Sequence, residues 1–149
     1  PERLLARLMG PGIILPSAPA QARPMKNLLF LLAFSFIATH EIDAALNAEW
    51  QLLYVLRALP EATASVGFVW AHVPLFAALL WAFFQAPEPW RERARLALAA
   101  FSVIHVGLHW RLSDHALYHF SGWDSNGLIW GAGLCGLLYL LMAWRSPSR

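Results

Sequence analysis

Charged residues are scarce in this chain of 149 residues. Asp, Glu, Lys and Arg together make up 13% of it, and hydrophobic residues make up 58%. A soluble domain carries roughly one quarter charged residues. The composition and the mean hydropathy of +0.48 therefore exclude an ordinary soluble domain and indicate one compact integral membrane unit.

Cysteine and sequence repeats are also scarce or absent. Cys135 is the only cysteine, so no disulfide can form within the chain, and cysteine usage leaves the redox compartment undetermined. The sequence has no internal repeat and no low-complexity tract. Because many transporters are built from repeats, ion or proton transport has little support here, although it is not excluded.

The basic residues lie beside apolar runs and are not interleaved with polar recognition segments. The pI of about 9.2 therefore does not point to nucleic acid, and we expect no nucleic-acid partner. The expected partner is the lipid bilayer. Association with a second copy of the chain or with another membrane protein stays open.

Residues 1–24 contain five prolines and show no helical periodicity. We predict a poorly ordered N-terminal extension there, followed by a single membrane domain over residues 25–149. Met25 opens the first apolar segment. Two interpretations are equally well supported: Met25 is the natural start, or residues 1–24 form an ordinary cytoplasmic tail.

Four apolar segments predict an all-α fold, a bundle of four transmembrane helices, because about 20 residues span a bilayer. The predicted spans are residues 27–47, 62–85, 94–112 and 126–144. The apolar part of the first, Leu28–Thr39, has only 12 residues. To cross the membrane this helix must continue to Asn47, which draws His40, Glu41 and Asp43 into the outer third of the bilayer.

The distribution of basic residues predicts the orientation. Only Arg57 and Arg111 fall on one side, and the other nine fall on the opposite side, so the positive-inside rule places both termini in the cytoplasm of a bacterial inner membrane. The outer connection 48–60 is too polar to span, and it reads as a short interfacial helix or an extension of the first span.

Histidines and carboxylates converge in the outer half of the predicted bundle. On a helical wheel His40, Asp43 and Asn47 lie within about 60° of one another, and His105 and His109 share a face. Imidazole with carboxylate suits zinc, iron or copper. The predicted ligands of such a metal are His40, Asp43, His72, His105 and His109, with His119 as a further candidate.

Other interpretations stay open for these residues. A metal-activated water could hydrolyse a lipid-like substrate, with Glu41 or Asp43 as the catalytic base. Haem could be ligated by His72 together with His105 or His109. Alternatively, the histidines could be polar contacts that hold the helices together in a purely structural subunit.

The motif His40-Glu41-Ile42-Asp43-Ala44, with Ala71-His72-Val73-Pro74 and the pair His105 and His109, resembles an uncharacterised group of small bacterial membrane proteins. That group has four predicted spans and no established activity, so the resemblance implies topology and leaves function open. The motif is also similar, more distantly, to membrane proteins with a histidine followed three and four residues later by two glutamates. This chain departs from that pattern, since Asp43 and Ala44 occupy the two acidic positions.

Overall fold

The computed structural model describes residues 22–145, and that part of the chain is all-helical, as predicted. The four α-helices are α1 (Ala22–Leu46), α2 (Glu61–Phe84), α3 (Glu88–Leu112) and α4 (Trp123–Arg145). Two 3-10 turns, Glu49–Gln51 and Leu56–Ala58, lie between α1 and α2. Residues 1–21 of the predicted extension lie outside the described part of the chain.

Three of these helices are long and apolar enough to cross a membrane: α1 from Pro24 onward, α2 and α4. Helix α3 has 25 residues, which correspond to about 37 Å. Its first two turns, however, carry the charges of Glu88, Arg91, Glu92, Arg93 and Arg95. Length and composition therefore do not confirm the predicted span over residues 94–112.

Helix α4 is the central element and packs against both α1 and α3. Small residues allow this close approach. Gly131 faces the ring of Phe36 on α1, and a Cβ placed on Gly136 would lie 2.6 Å from the carbonyl oxygen of Ala99 on α3. Helix α2 lies beside this trio and buries only Ala64, Phe68 and Phe83.

A polar cluster anchors the end of the bundle where α2 turns into α3. Lys26 of α1 forms a salt bridge with Glu92, and the Tyr139 hydroxyl donates to the same carboxylate at 3.4 Å. Arg95 donates to the carbonyl oxygen of Phe83 at 3.1 Å. The charged start of α3 is thus paired with three other helices.

The opposite end of the bundle carries the connections 47–60 and 113–122, and we call it the long-loop end. After α1, Ala48 adopts the left-handed conformation with φ 55° and ψ 40°, which costs a non-glycine residue about 1 kcal/mol. The chain reverses there and forms the two 3-10 turns. The predicted interfacial helix is therefore not confirmed.

Candidate metal centre

Three buried histidines meet at the long-loop end. His40 comes from α1, and His105 and His109 come from successive turns of α3; their whole-residue exposures are 0%, 6% and 5%. The ring centroids are 4.8 Å apart for His40 and His105, 4.9 Å for His40 and His109, and 4.5 Å for His105 and His109. One ring nitrogen from each lies within 4.8 Å of the other two.

Phe120 closes this cluster from the second connection. Its ring is fully buried and lies 5.5 Å from that of His40 and 4.9 Å from that of His109, centroid to centroid. The Asn126 side chain donates to the Phe120 carbonyl at 3.1 Å and so holds the loop in place. The cluster is therefore shielded by an apolar lid of the chain itself.

Two carboxylates approach His40 from opposite sides. Asp43 Oδ2 lies 3.8 Å from Nδ1, and Glu49 Oε2 lies 3.6 Å from Nε2. Both distances exceed a hydrogen bond. Both nitrogens of His40, both of these carboxylate oxygens and His105 Nε2 are buried and have no hydrogen-bond partner among the described residues.

Asn47 holds the carboxylate of Asp43 in its orientation through Oδ1, the oxygen that is not the one near His40. The Asn47 side chain donates to its Oδ1 at 2.8 Å and to its backbone carbonyl at 3.0 Å. The predicted stripe of His40, Asp43 and Asn47 thus forms one connected face of α1. Asp43 is thereby placed beside a histidine of the cluster, with its second oxygen, Oδ2, toward His40 Nδ1.

Glu49 is a site residue that sequence reasoning missed. On a helix continued from α1 it falls about 180° from His40, but the reversal at Ala48 brings it back over that ring. Burial, and to a smaller extent the nearby carboxylates of Glu41 and Asp43, raise the pKa of Glu49 from its ordinary 4.5 to about 7, and His72 offsets part of this increase.

Tyr118 is the second residue that was missed. Its hydroxyl lies 3.1 Å from His109 Nδ1. Burial, with a smaller effect from Glu49, raises the pKa of Tyr118 above its ordinary value, so the phenol keeps its proton at neutral pH. If His109 Nδ1–H donates to this oxygen, Nε2 has its lone pair free to bind a metal.

The structure does not bring His72 into the cluster. Its Nδ1 lies 2.7 Å from the carbonyl oxygen of Phe68, and its Nε2 lies 2.9 Å from Glu41 Oε2. A carbonyl oxygen only accepts hydrogen bonds, so His72 Nδ1 carries a proton. The contact between His72 Nε2 and Glu41 Oε2 requires a second proton, on one of these two atoms. His72 and Glu41 therefore share a proton and link α2 to α1.

His119, the further ligand candidate, is exposed in the second connection and lies outside the cluster. His115, in the same connection, is also exposed, and its Nδ1 accepts a hydrogen bond from the Leu117 amide at 3.2 Å. The predicted set thus divides into the buried group of His40, His105 and His109 with the half-buried Asp43 beside it, a separate pair with His72, and an exposed His119.

The three donor nitrogens would fit a transition-metal ion if they moved slightly closer together. Nitrogen ligands at about 2.05 Å in a tetrahedral site lie about 3.3 Å apart. Here the three nitrogens lie within 4.8 Å of one another, a difference that side-chain rotation can close. A buried group of imidazoles with unpartnered nitrogens and nearby carboxylates could hold a metal ion.

Fold and site together define an all-helical protein with membrane-compatible helices and a buried histidine cluster that could hold a metal ion. The chain belongs to a family of unknown function, DUF6713, whose model matches residues 26–146. This is consistent with the resemblance to an uncharacterised group. No curated protein and no solved structure matches the chain.

Proposed function

We propose that this protein binds one transition-metal ion through His40, His105 and His109. The observation that carries the proposal is the set of buried ring and carboxylate atoms without hydrogen-bond partners at one point of the bundle. An unpaired buried polar atom costs about 1–3 kcal/mol. A bound cation would satisfy several of these atoms at once.

Glu49 or Asp43 would complete the coordination. Three imidazoles leave at least one position of a four-coordinate ion to a carboxylate or water. The predicted haem ligation by His72 with His105 or His109 is disfavoured, because both His72 nitrogens are engaged with Phe68 and Glu41 outside the cluster. Haem between two of the cluster rings is disfavoured as well, because their centroids lie 4.5–4.9 Å apart in edge-to-face contact. A porphyrin between them would have to force the rings apart.

The proposal extends to topology. Helix α3 would also span the membrane, as the sequence predicts for residues 94–112, since it carries two of the cluster histidines and packs on α4. Arg91, Arg93 and Arg95 would then lie with the termini in the cytoplasm of a bacterial inner membrane. The metal centre and the long-loop end would lie in the non-cytoplasmic half.

Metal analysis of the protein purified in mild detergent tests the proposal. We expect about one zinc, iron or copper ion per chain, and less than about one tenth of that in His105→Ala, because removal of one of three imidazoles leaves too few donors. His119→Ala is the matched control and should retain the metal. Sub-stoichiometric metal in the wild type, or equal metal in both variants, would refute the site.

The same variants distinguish metal binding from a purely structural role of the imidazoles. If the imidazoles only hold helices together, His105→Ala lowers the unfolding temperature of protein prepared with a chelator as much as that of protein prepared with metal. If they bind an ion, added metal raises the unfolding temperature of the wild type and leaves that of His105→Ala unchanged.

Metal-dependent hydrolysis of a lipid-like substrate is a second candidate, favoured by the carboxylates beside the cluster. Glu41 is engaged with His72, so Asp43 or Glu49 is the better-placed base for a water bound at the open position. Hydrolysis of a fluorogenic ester lipid by wild type, abolished in Glu49→Gln with metal retained, would support this activity. Equal rates in the two proteins would reject that role for Glu49.

A further inference from the structure

His72 and Glu41 form a second group of metal-ligating side chains, where α2 meets α1. Both side chains are partly buried, with exposures of 17% for His72 and 18% for Glu41. The Nε2 atom of His72 lies 2.9 Å from Glu41 Oε2. The ion proposed for the histidine cluster of His40, His105 and His109 makes no use of this pair.

The ring of His72 is held in an orientation that is common for metal ligands. Its Nδ1 donates to the carbonyl oxygen of Phe68 at 2.7 Å, and the rings of Phe68 and Phe76 lie 4.7 Å and 5.7 Å from it, centroid to centroid. A histidine that ligates a metal usually donates its other ring N–H to a carboxylate, a backbone carbonyl or water. In the neutral ring the lone pair of Nε2 is therefore directed at Glu41.

The distance between the two facing atoms suits a metal ion as well as a proton. Neighbouring ligands at about 2.1 Å from an octahedral ion lie about 3.0 Å apart, and the separation here is 2.9 Å. Metal binding requires deprotonated ligands. A divalent ion would therefore take the place of the proton that His72 and Glu41 share.

The charges around this pair favour a cation. The side chains of Glu41, Asp43 and Glu49 are only 14–18% exposed, and among the described residues their ion-pair partners within 4.0 Å are histidines alone. When ionised, the three carboxylates carry one more negative charge than a single divalent ion at the histidine cluster would neutralise. A shielded charge without a compensating partner is costly.

Glu49 lies between the histidine cluster and this pair. Its Oε2 is 3.6 Å from His40 Nε2, and its carboxylate interacts electrostatically with Glu41 and with His72. The Oε2 atom is buried and has no hydrogen-bond partner among the described residues. The same is true of both ring nitrogens of His40, whose side chain is only 1% exposed. After a side-chain rotation Glu49 could bind to ions at both groups.

We propose that a second divalent ion binds to His72 Nε2 and Glu41, with Glu49 as a ligand shared between it and the ion at the histidine cluster. The inference rests on the proposed function, because a shared ligand requires the first ion. One imidazole with two carboxylates is a harder donor set than three imidazoles and suits manganese or ferrous iron. We expect this ion to bind more weakly than the first and to be lost during purification, because its ligands are partly exposed and include only one imidazole.

A manganese titration of zinc-loaded protein in detergent tests the proposal. Mn²⁺ binds most weakly among the divalent first-row metals, so it should not displace the zinc from the histidine cluster. Electron paramagnetic resonance measures the free Mn²⁺ during the titration, and elemental analysis counts the zinc that each sample retains. We expect the wild type to hold one zinc ion and to bind one manganese ion per chain.

His72→Ala and Glu41→Gln should each weaken manganese binding by at least about tenfold, because loss of even an outer partner of a metal ligand costs this much. Both variants should retain zinc. Glu41→Gln keeps the size of the side chain and a hydrogen bond to His72, which guards against a folding defect. His115→Ala removes an exposed histidine of the second connection; it is the matched control and should bind manganese as the wild type does.

The ion at the histidine cluster and the second ion would fail this test in different ways. Absence of zinc from the wild type would refute the ion at the histidine cluster, and the shared ligand with it. One bound zinc without manganese would show that His72 and Glu41 hold only a proton, and would overturn the second site alone. Equal manganese binding by the wild type, His72→Ala and Glu41→Gln would place the manganese elsewhere and overturn the second site as well.

Discussion

Glu49 makes the fold less stable at neutral pH, and its replacement by glutamine should reveal this. The side chain is largely buried beside His40, with 15% exposure, and burial together with the nearby carboxylates raises its pKa from 4.5 to about 7. The folded state therefore holds a proton that the unfolded chain has already released. Between pH 4.5 and pH 7 the contribution of Glu49 to the free energy of unfolding falls as pH rises, and above pH 7 this loss is complete.

The size of this effect follows from the pKa values. A change from 4.5 to about 7, at 1.36 kcal/mol per pH unit, corresponds to at most about 3 kcal/mol. Glu49→Gln keeps the volume of the side chain and removes the titration. In metal-free protein at pH 8 it should therefore unfold about 6–12 °C above the wild type.

Thermal unfolding in detergent with a chelator, followed by tryptophan fluorescence from pH 4.5 to pH 8, measures the difference. The midpoint of Glu49→Gln should equal that of the wild type near pH 4.5 and lie above it by the full amount from pH 7 upward, because all other titrating groups are common to the two proteins. Glu61→Gln, at an exposed position outside the cluster, should follow the wild type. Parallel wild-type and Glu49→Gln curves would show that Glu49 is not buried beside the histidines.

Two further predictions concern the second connection and the helix contacts. Tyr118→Phe removes the oxygen that orients His109, so metal affinity should fall about 10- to 100-fold with little change in the metal-free unfolding temperature; unchanged affinity in a metal titration would contradict this role. Gly136→Ala places a Cβ 2.6 Å from the Ala99 carbonyl oxygen and should cost about 1–3 kcal/mol of unfolding free energy, measured by the same thermal assay. Gly127→Ala, where no atom lies within 4 Å of the added Cβ, should be neutral, and equal effects of the two alanines would argue against this packing.

Much of the fold could be predicted because long apolar runs require long helices. The clustering of His40, His105 and His109 was also expected, since His105 and His109 share a helical face and His40 lies at a similar predicted depth. These features depend on helical periodicity and membrane thickness. Both can be obtained from one sequence.

The positions of the other site residues depend on loop geometry and helix orientation, which helical periodicity does not predict. The reversal that returns Glu49 to His40 occurs at an alanine, whereas a left-handed position usually carries glycine or asparagine. Tyr118 lies in a loop without a repeating pattern. His72 departs from the predicted set because α2 is apolar on every side, so its sequence does not define which face turns toward the bundle.

The proton-sharing pair between α1 and α2 has a consequence for biosynthesis in a membrane. Glu41 meets His72 after 31 residues, whereas His105 follows His40 by 65 residues, from position 40 to 105. At about 5–20 residues per second, ribosomes need roughly 3–13 s for the longer interval. If the chain is inserted into a membrane as it is made, α1 would spend that time without α3, and the hydrogen bond between Glu41 and His72 would already be available to hold it beside α2.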